Sequence, residues 1–206
     1  MSLSNSDFKK GPMNKLIQNT RFMLAPLVLA IILVAIHLNP NVQNWLVLTE
    51  TDLLRQPWRI FTTHLVHLND QHLWVNLAAL ILTAILFRRY IQGRLLLNVM
   101  MISALGASLV PILLEQDYDF VGLSGVLHGI FVYVGVSLLR TQRPIGITIL
   151  MVMIVKLGVD LTLSADESFW LGAQVAYLCH VGGAIGGALA VPGLRRKPID
   201  IVKPKP

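Results

Sequence analysis

Gly122-Leu-Ser-Gly-Val-Leu-His-Gly129 opens one apolar stretch of this chain, and His180-Val-Gly-Gly-Ala-Ile-Gly-Gly187 lies inside another. Polar side chains at bilayer depth are costly and tend to be functional. A serine and a histidine on two such stretches suggest a nucleophile and its base. Whether the chain can bring them together depends on its fold.

With 54% hydrophobic residues and a mean hydropathy of +0.64, the chain does not read as a soluble domain. A spanning helix needs about 20 mainly apolar residues. Six segments meet or approach that length, at 22–38, 71–87, 95–114, 122–139, 144–163 and 170–191. The reading is an all-α membrane protein, a six-helix bundle over residues 22–192. A cytoplasmic tail (1–21) precedes it and a basic cytoplasmic tail (193–206) follows.

Charge sets the expected orientation. Lys9, Lys10, Lys15 and Arg21 precede the first segment, and Arg88, Arg89 and Arg94 separate the second from the third. Arg140 and Arg143 lie between the fourth and fifth, and Arg195, Arg196, Lys197, Lys203 and Lys205 follow the sixth. The opposite connections carry Glu50, Asp52, Asp70, Glu115, Asp117, Asp119, Asp166 and Glu167 against only Arg55 and Arg59. Basic residues favour the cytoplasmic side, so both termini are expected there. The net charge of +6 then reflects anchoring to anionic lipid rather than nucleic-acid binding. No small-residue cleavage site follows the first segment, which reads as an uncleaved anchor. A single cysteine, Cys179, leaves no intrachain disulfide framework. The loop 39–71 carries Trp45 and Trp58 and is expected to lie against the outer leaflet.

Helical spacing groups the polar and small residues. Positions four apart share a face, which pairs Ser124 with His128 and Gly125 with Gly129. On the sixth segment the same rule aligns Gly172, Ala176, His180, Gly183 and Gly187. Small residues four apart let transmembrane helices approach until their backbones nearly touch. If Gly125 and Gly129 meet Gly183 and Gly187, His180 is carried toward Ser124. Gly122 is grouped with these packing glycines. On the second segment His72 and Asn76 lie four apart, and side chains of this kind can donate to the oxyanion of an acyl-transfer intermediate.

Each signal has a plainer reading. A transmembrane serine commonly bonds its own i−4 carbonyl, a histidine can be a satisfied interhelical contact, and glycine stripes can be packing alone. His64, His67 and His72 lack a fourth ligand and an ordered spacing for a metal site. Cys179 points about 100° away from His180 and makes a poor nucleophile for it. Lys156 and Asp160, four apart on the fifth segment, read by default as a structural ion pair, and a role for Asp160 as a third catalytic member is conceivable but unsupported by the sequence. No metal and no cofactor is expected.

Several of these residues occur together in a recognisable order. Trp58-Arg59, His72-Leu-Trp-Val-Asn76, Gly122-Leu-Ser124-Gly125, and His180 followed by Gly183 and Gly187 make the chain resemble a rhomboid intramembrane serine protease. The resemblance implies a Ser124–His180 dyad without a carboxylate, and an oxyanion hole using His72, Asn76 and backbone N–H groups. Where many rhomboids carry a tyrosine that stacks on the catalytic histidine, this chain has His128. That residue can stack on His180, bond it, or contact substrate. The run 122–129, the bare six-span core and the short chain are similar to the rhombosortase branch. That likeness implies a bacterial inner-membrane protease with its active site open to the periplasm. Its substrates would be membrane-anchored secreted proteins with a C-terminal Gly-Gly motif, an apolar helix and a basic tail. Whether water or an amine takes the new C-terminus stays open. The competing reading is a non-catalytic rhomboid-like protein that binds membrane clients. Members of that kind typically lack the dyad residues, and this chain has both. A transporter is disfavoured by the absence of paired broken segments in two halves.

Overall fold

The computed structural model describes residues 21–91, 93–115, 118, 120–163 and 176–194. The outer parts of both tails, the acidic residues Asp117, Asp119, Asp166 and Glu167, and the start of the sixth segment with Gly172 lie outside them. Among the described residues the regular structure is helical, with no strand.

Helix α1 (Leu24–His37) stops where Asn39, preceding Pro40, turns extended at φ −128° and ψ 92°. Steric conflict with a following proline ring disfavours the helical region at that position. Asn39 then restarts the chain, its Oδ1 accepting from the Val42 N–H at 3.3 Å with Pro40 in the first turn of α2 (Pro40–Leu46). The two helices bend by 107°. A short α3 (Arg59–Thr62) follows. The expected long outer loop is thus built of short helical pieces and tied down by named bonds. Arg59, 6% exposed, donates to the carbonyls of Asn44 and Val47, and Thr62 Oγ1 donates to the Leu46 carbonyl at 2.9 Å. Trp45 and Trp58 pack at 5.8 Å between ring centroids and remain largely exposed.

Helix α4 (Asp70–Phe87) is capped by Asn69, whose Oδ1 accepts from the His72 N–H at 2.9 Å. Then come α5 (Arg94–Glu115), α6 (Ser124–Leu138), α7 (Arg143–Leu163) and α8 (Tyr177–Leu194). Each of the six apolar segments therefore holds a helix. By length and apolarity, α4, α5 and α7 suffice to cross a membrane, and the bent α1–α2 pair adds a fourth if its two helices count as one span. Among the described residues the apolar runs of α6 and α8 are shorter.

The core centres on α6. Its Val126, Leu127, Ile130, Val134 and Leu138 are buried with Leu73, Leu77 and Leu80 of α4 and Val99 of α5. In lipid, close van der Waals fit rather than the hydrophobic effect holds such helices together. Glycine supplies that fit on two faces of α8. A Cβ on Gly183 would collide with the Gly125 carbonyl of α6, and one on Gly187 with the Gly129 carbonyl. On the next face Gly182 abuts Gly106 of α5, and a Cβ on Gly186 would lie 2.6 Å from the Ile102 carbonyl oxygen. That second stripe went unread in the sequence. Helix α7 sits at the rim, with Ile147, Met151, Val152, Ile154 and Val155 exposed, an apolar surface suited to lipid.

Candidate active site

Ser124 is the first residue of α6, reached through a turn at Gly122. Gly122 has φ +106°, a conformation L side chains rarely adopt. A Cβ there would also lie 2.6 Å from Nε2 of His72. Gly122 was expected among the helix-packing glycines; it lies instead in the turn before α6, pressed against the His72 ring. Behind the turn, His64 contacts the Gly122 carbonyl at 3.3 Å through Nδ1 and Ser108 Oγ at 2.9 Å through Nε2. Ser108 Oγ donates to the Ile60 carbonyl at 2.6 Å, so it accepts from His64, and Nε2 carries the proton. His64 thus ties the outer loop to α5, with its unprotonated Nδ1 edge lying against the turn. Its burial holds the imidazole well below its ordinary pKa, to about 4.

His180 stands in the first turn of the described α8 and is 7% exposed. Its Nε2 lies 2.8 Å from Ser124 Oγ, and its Nδ1 lies 2.8 Å from Asp160 Oδ2. A carboxylate can only accept, so Nδ1 is the protonated nitrogen and Nε2 presents a lone pair to the serine hydroxyl. The other oxygen of Asp160 takes the Lys156 ammonium. The Asp160 carboxylate thus stands beside the two residues that the resemblance implies as a dyad. The Lys156–Asp160 pair forms as its spacing requires, but only one carboxylate oxygen is used in it.

Of the contacts open to His128, stacking is the one present. Its ring lies over that of His180 with centroids 4.2 Å apart and planes 12° from parallel. The stack is fixed from below, because His128 Nδ1 donates to the Ser124 carbonyl at 2.8 Å. Together, the glycine contact between α6 and α8, the stack and the Asp160 bond leave the His180 ring little freedom.

His72 and Asn76 are both buried on α4. Asn76 Nδ2 donates one hydrogen to the His72 carbonyl at 2.9 Å and retains a second. His72 packs edge-on against His67 with centroids 5.1 Å apart and interacts electrostatically with His180. Cys179 belongs to a separate apolar cluster with Leu48, Ile112 and Phe120. Among the described residues, one set of side chains brings ligand atoms within reach of a common ion: His128, Asp160 and His180, within 4.8 Å of one another. The nitrogen lone pairs of two nearly parallel stacked rings lie in separate planes, so one ion cannot be in line with both. The set suits a hydrogen-bond network better than a metal centre.

Sequence reasoning took Asp160 for an ion-pair partner, with a third catalytic role conceivable but unsupported, and weighed His64 only as a metal ligand. Both had a readable signal: a carboxylate within an apolar segment, and a histidine beside the Trp58-Arg59 element. No curated protein matches the chain at a significant level. The Rhomboid domain matches residues 54–197, a stretch that holds the whole cluster from Arg59 to Gly187. The chain belongs to the rhomboid family of intramembrane serine proteases.

Proposed function

We propose that this protein is an intramembrane serine endopeptidase in which Ser124 attacks a peptide carbonyl and His180 takes the serine proton. One observation carries the reading: the 2.8 Å contact between Ser124 Oγ and His180 Nε2, the reach that nucleophile and base require. The same histidine then returns the proton to the departing amine. Negative charge on the carbonyl oxygen is met by His72, by the second amide hydrogen of Asn76, and by the Ser124 N–H. Support for the last comes from the start of α6, where Leu123 provides no side-chain cap and first-turn N–H groups have no helical acceptor. Gly125, Gly129, Gly183 and Gly187 hold the two catalytic helices together, and His128 supports His180.

The domain extends over 22–192 with six crossings and both termini in the cytoplasm, as the distribution of Lys and Arg favours. The short apolar run of α6 fits a bundle interior where the catalytic ends lie below the surface and water enters from one side. That side is the periplasmic face of a bacterial inner membrane, since Ser124 follows the acidic stretch 115–119.

The substrate must present an extended strand, because a helix hides its scissile carbonyl within its own hydrogen bonds. A Gly-Gly pair at the outer end of an apolar C-terminal helix meets this need. Each glycine weakens the helix by about 1 kcal/mol and permits close backbone approach. The favoured substrates are thus secreted proteins held by a C-terminal membrane tail, as in the rhombosortase branch. Co-expression with such a substrate, followed by intact-mass analysis of its C-terminus, tests this. The protein should release a shortened product, and Leu-Leu in place of Gly-Gly should suppress release. The mass also tells a free acid from an amine adduct. Unchanged processing of the Leu-Leu substrate would refute the substrate assignment.

A further inference from the structure

We propose that Asp160, clamped by Lys156, is the positioning residue that makes His180 a base, so that Ser124, His180 and Asp160 act as a triad within the membrane. The inference rests on the protease reading above and adds a member to its machinery.

The starting point is cost. An acidic side chain at the centre of a transmembrane helix costs on the order of 2.5–3.5 kcal/mol on insertion scales, and part of that cost remains in the last turn of α7, where Asp160 stands. Asp160 is fully buried on a helix whose apolar window is only 17% buried. An ion pair with Lys156 would offset that cost while both groups reached toward the helix surface, as the half-exposed lysine does. Asp160 instead turns inward and spends its second oxygen on His180 at 2.8 Å. Only one nitrogen of that ring can serve the serine, and the carboxylate engages the other.

The chemistry follows. In the resting site the Asp160 bond selects the tautomer with the proton on Nδ1, leaving Nε2 free to accept. When Ser124 Oγ bonds to the substrate carbonyl carbon, the carbonyl π pair moves to its oxygen and the serine proton moves to Nε2. The resulting imidazolium faces the Asp160 carboxylate, which stabilises it without taking a proton. Lys156 balances Asp160 throughout, so the buried cluster is neutral at rest. During reaction the only new charges are the imidazolium and the oxyanion. The groups facing His180 are Ser124 and His128 from α6, Asp160 from α7 with Lys156 behind it, and His72 from α4.

A purely structural link between α7 and α8 would be lost in the same variant, so the test must read the histidine itself. Asp160→Asn should lower kcat by on the order of 10²- to 10⁴-fold with KM within about twofold. The acidic limb of its pH–rate profile should move to lower pH, because removing the anion destabilises the imidazolium. Asp160→Glu should recover part of kcat and return the limb toward its parental position. A reduced kcat with an unmoved limb would overturn the proposal, as would a parental kcat. The parent protein gives an independent readout if the asparagine variant does not fold. With ¹⁵N-labelled histidine, the signal that disappears in His180→Ala should be a neutral ring protonated at Nδ1. A free neutral imidazole prefers Nε2–H, so an Nε2–H ring at His180 would overturn the assignment. Ser124→Ala, run alongside, separates the two claims. Its inactivity with a normal Asp160→Asn enzyme would sink the triad alone, whereas an active Ser124→Ala protein would sink the protease reading.

Discussion

At the scale of single residues, the proposed mechanism depends on a few side chains with hydrogen-bonding groups to spare. Asn76 uses one amide hydrogen within its own helix, and the proposed mechanism assigns the other to the oxyanion. Its loss should therefore be milder than loss of the nucleophile. Removing one oxyanion donor typically costs about 2.7–4 kcal/mol, or 10²- to 10³-fold in kcat. Asn76→Ala and His72→Ala should each fall in that range when steady-state rates are compared with the parent, with KM little changed. Parental kcat in both would remove these two residues from the mechanism. Ser124, His180, His72 and Asn76 were all named as candidates from the sequence, because polar groups are sparse in apolar segments and their spacing shows their face. The partner of Asp160 was not legible there. An i,i+4 neighbour is visible along one helix, whereas the His180 contact spans 20 residues and two helices.

At the scale of helices, glycine decides how near α6 and α8 lie, and distance decides rate. Gly183 and Gly187 face the backbone carbonyls of Gly125 and Gly129 with no room for a side chain. Gly183→Val or Gly187→Val should push the helices apart, and about 1 Å of misplacement can cost about 100-fold in rate. Both variants should lose activity together with melting temperature in detergent; wild-type values for both properties would show that this contact does not set the geometry. One face of this packing was readable from the period of four. The second, Gly182 and Gly186 against α5, was hidden because consecutive glycines in one run leave the partner of each face undetermined. The outer loop makes a different prediction. Burial holds His64 at about 4, and burial together with repulsion from His72 and His37 holds His67 at about 3. Both rings are neutral in the fold, while in the unfolded chain they titrate near 6.5. As pH falls below that value the unfolded state takes up protons that the folded state refuses, so stability present at neutral pH is lost toward pH 4. His64 alone should cost roughly 2 kcal/mol at pH 5. Melting temperature followed from pH 7.5 to 5 should fall, and a flat or rising curve would contradict the neutral, buried state of these rings.

At the scale of the whole molecule, composition and hydropathy gave the helical class, and the order of short motifs gave the family. Helix length is less telling. Among the described residues α4, α5 and α7 qualify as spans by length, whereas α1, α6 and α8 do not by themselves; α6 begins at Ser124 and α8 carries His180. A bundle interior can accept short helices because neighbouring helices, rather than lipid, surround them. His180 is buried and Ser124 partly so, an arrangement that suits the membrane-protein substrates on which rhomboid proteases act. The central claim is that Ser124 is a nucleophile activated by His180. It is tested most directly by labelling the purified protein with a mechanism-based serine-hydrolase probe and locating the adduct by mass spectrometry. The account predicts a single adduct on Ser124 in the parent, none in Ser124→Ala, and strongly reduced labelling in His180→Ala, with all three proteins folded. An adduct on another residue, or equal labelling of the parent and Ser124→Ala, would contradict it.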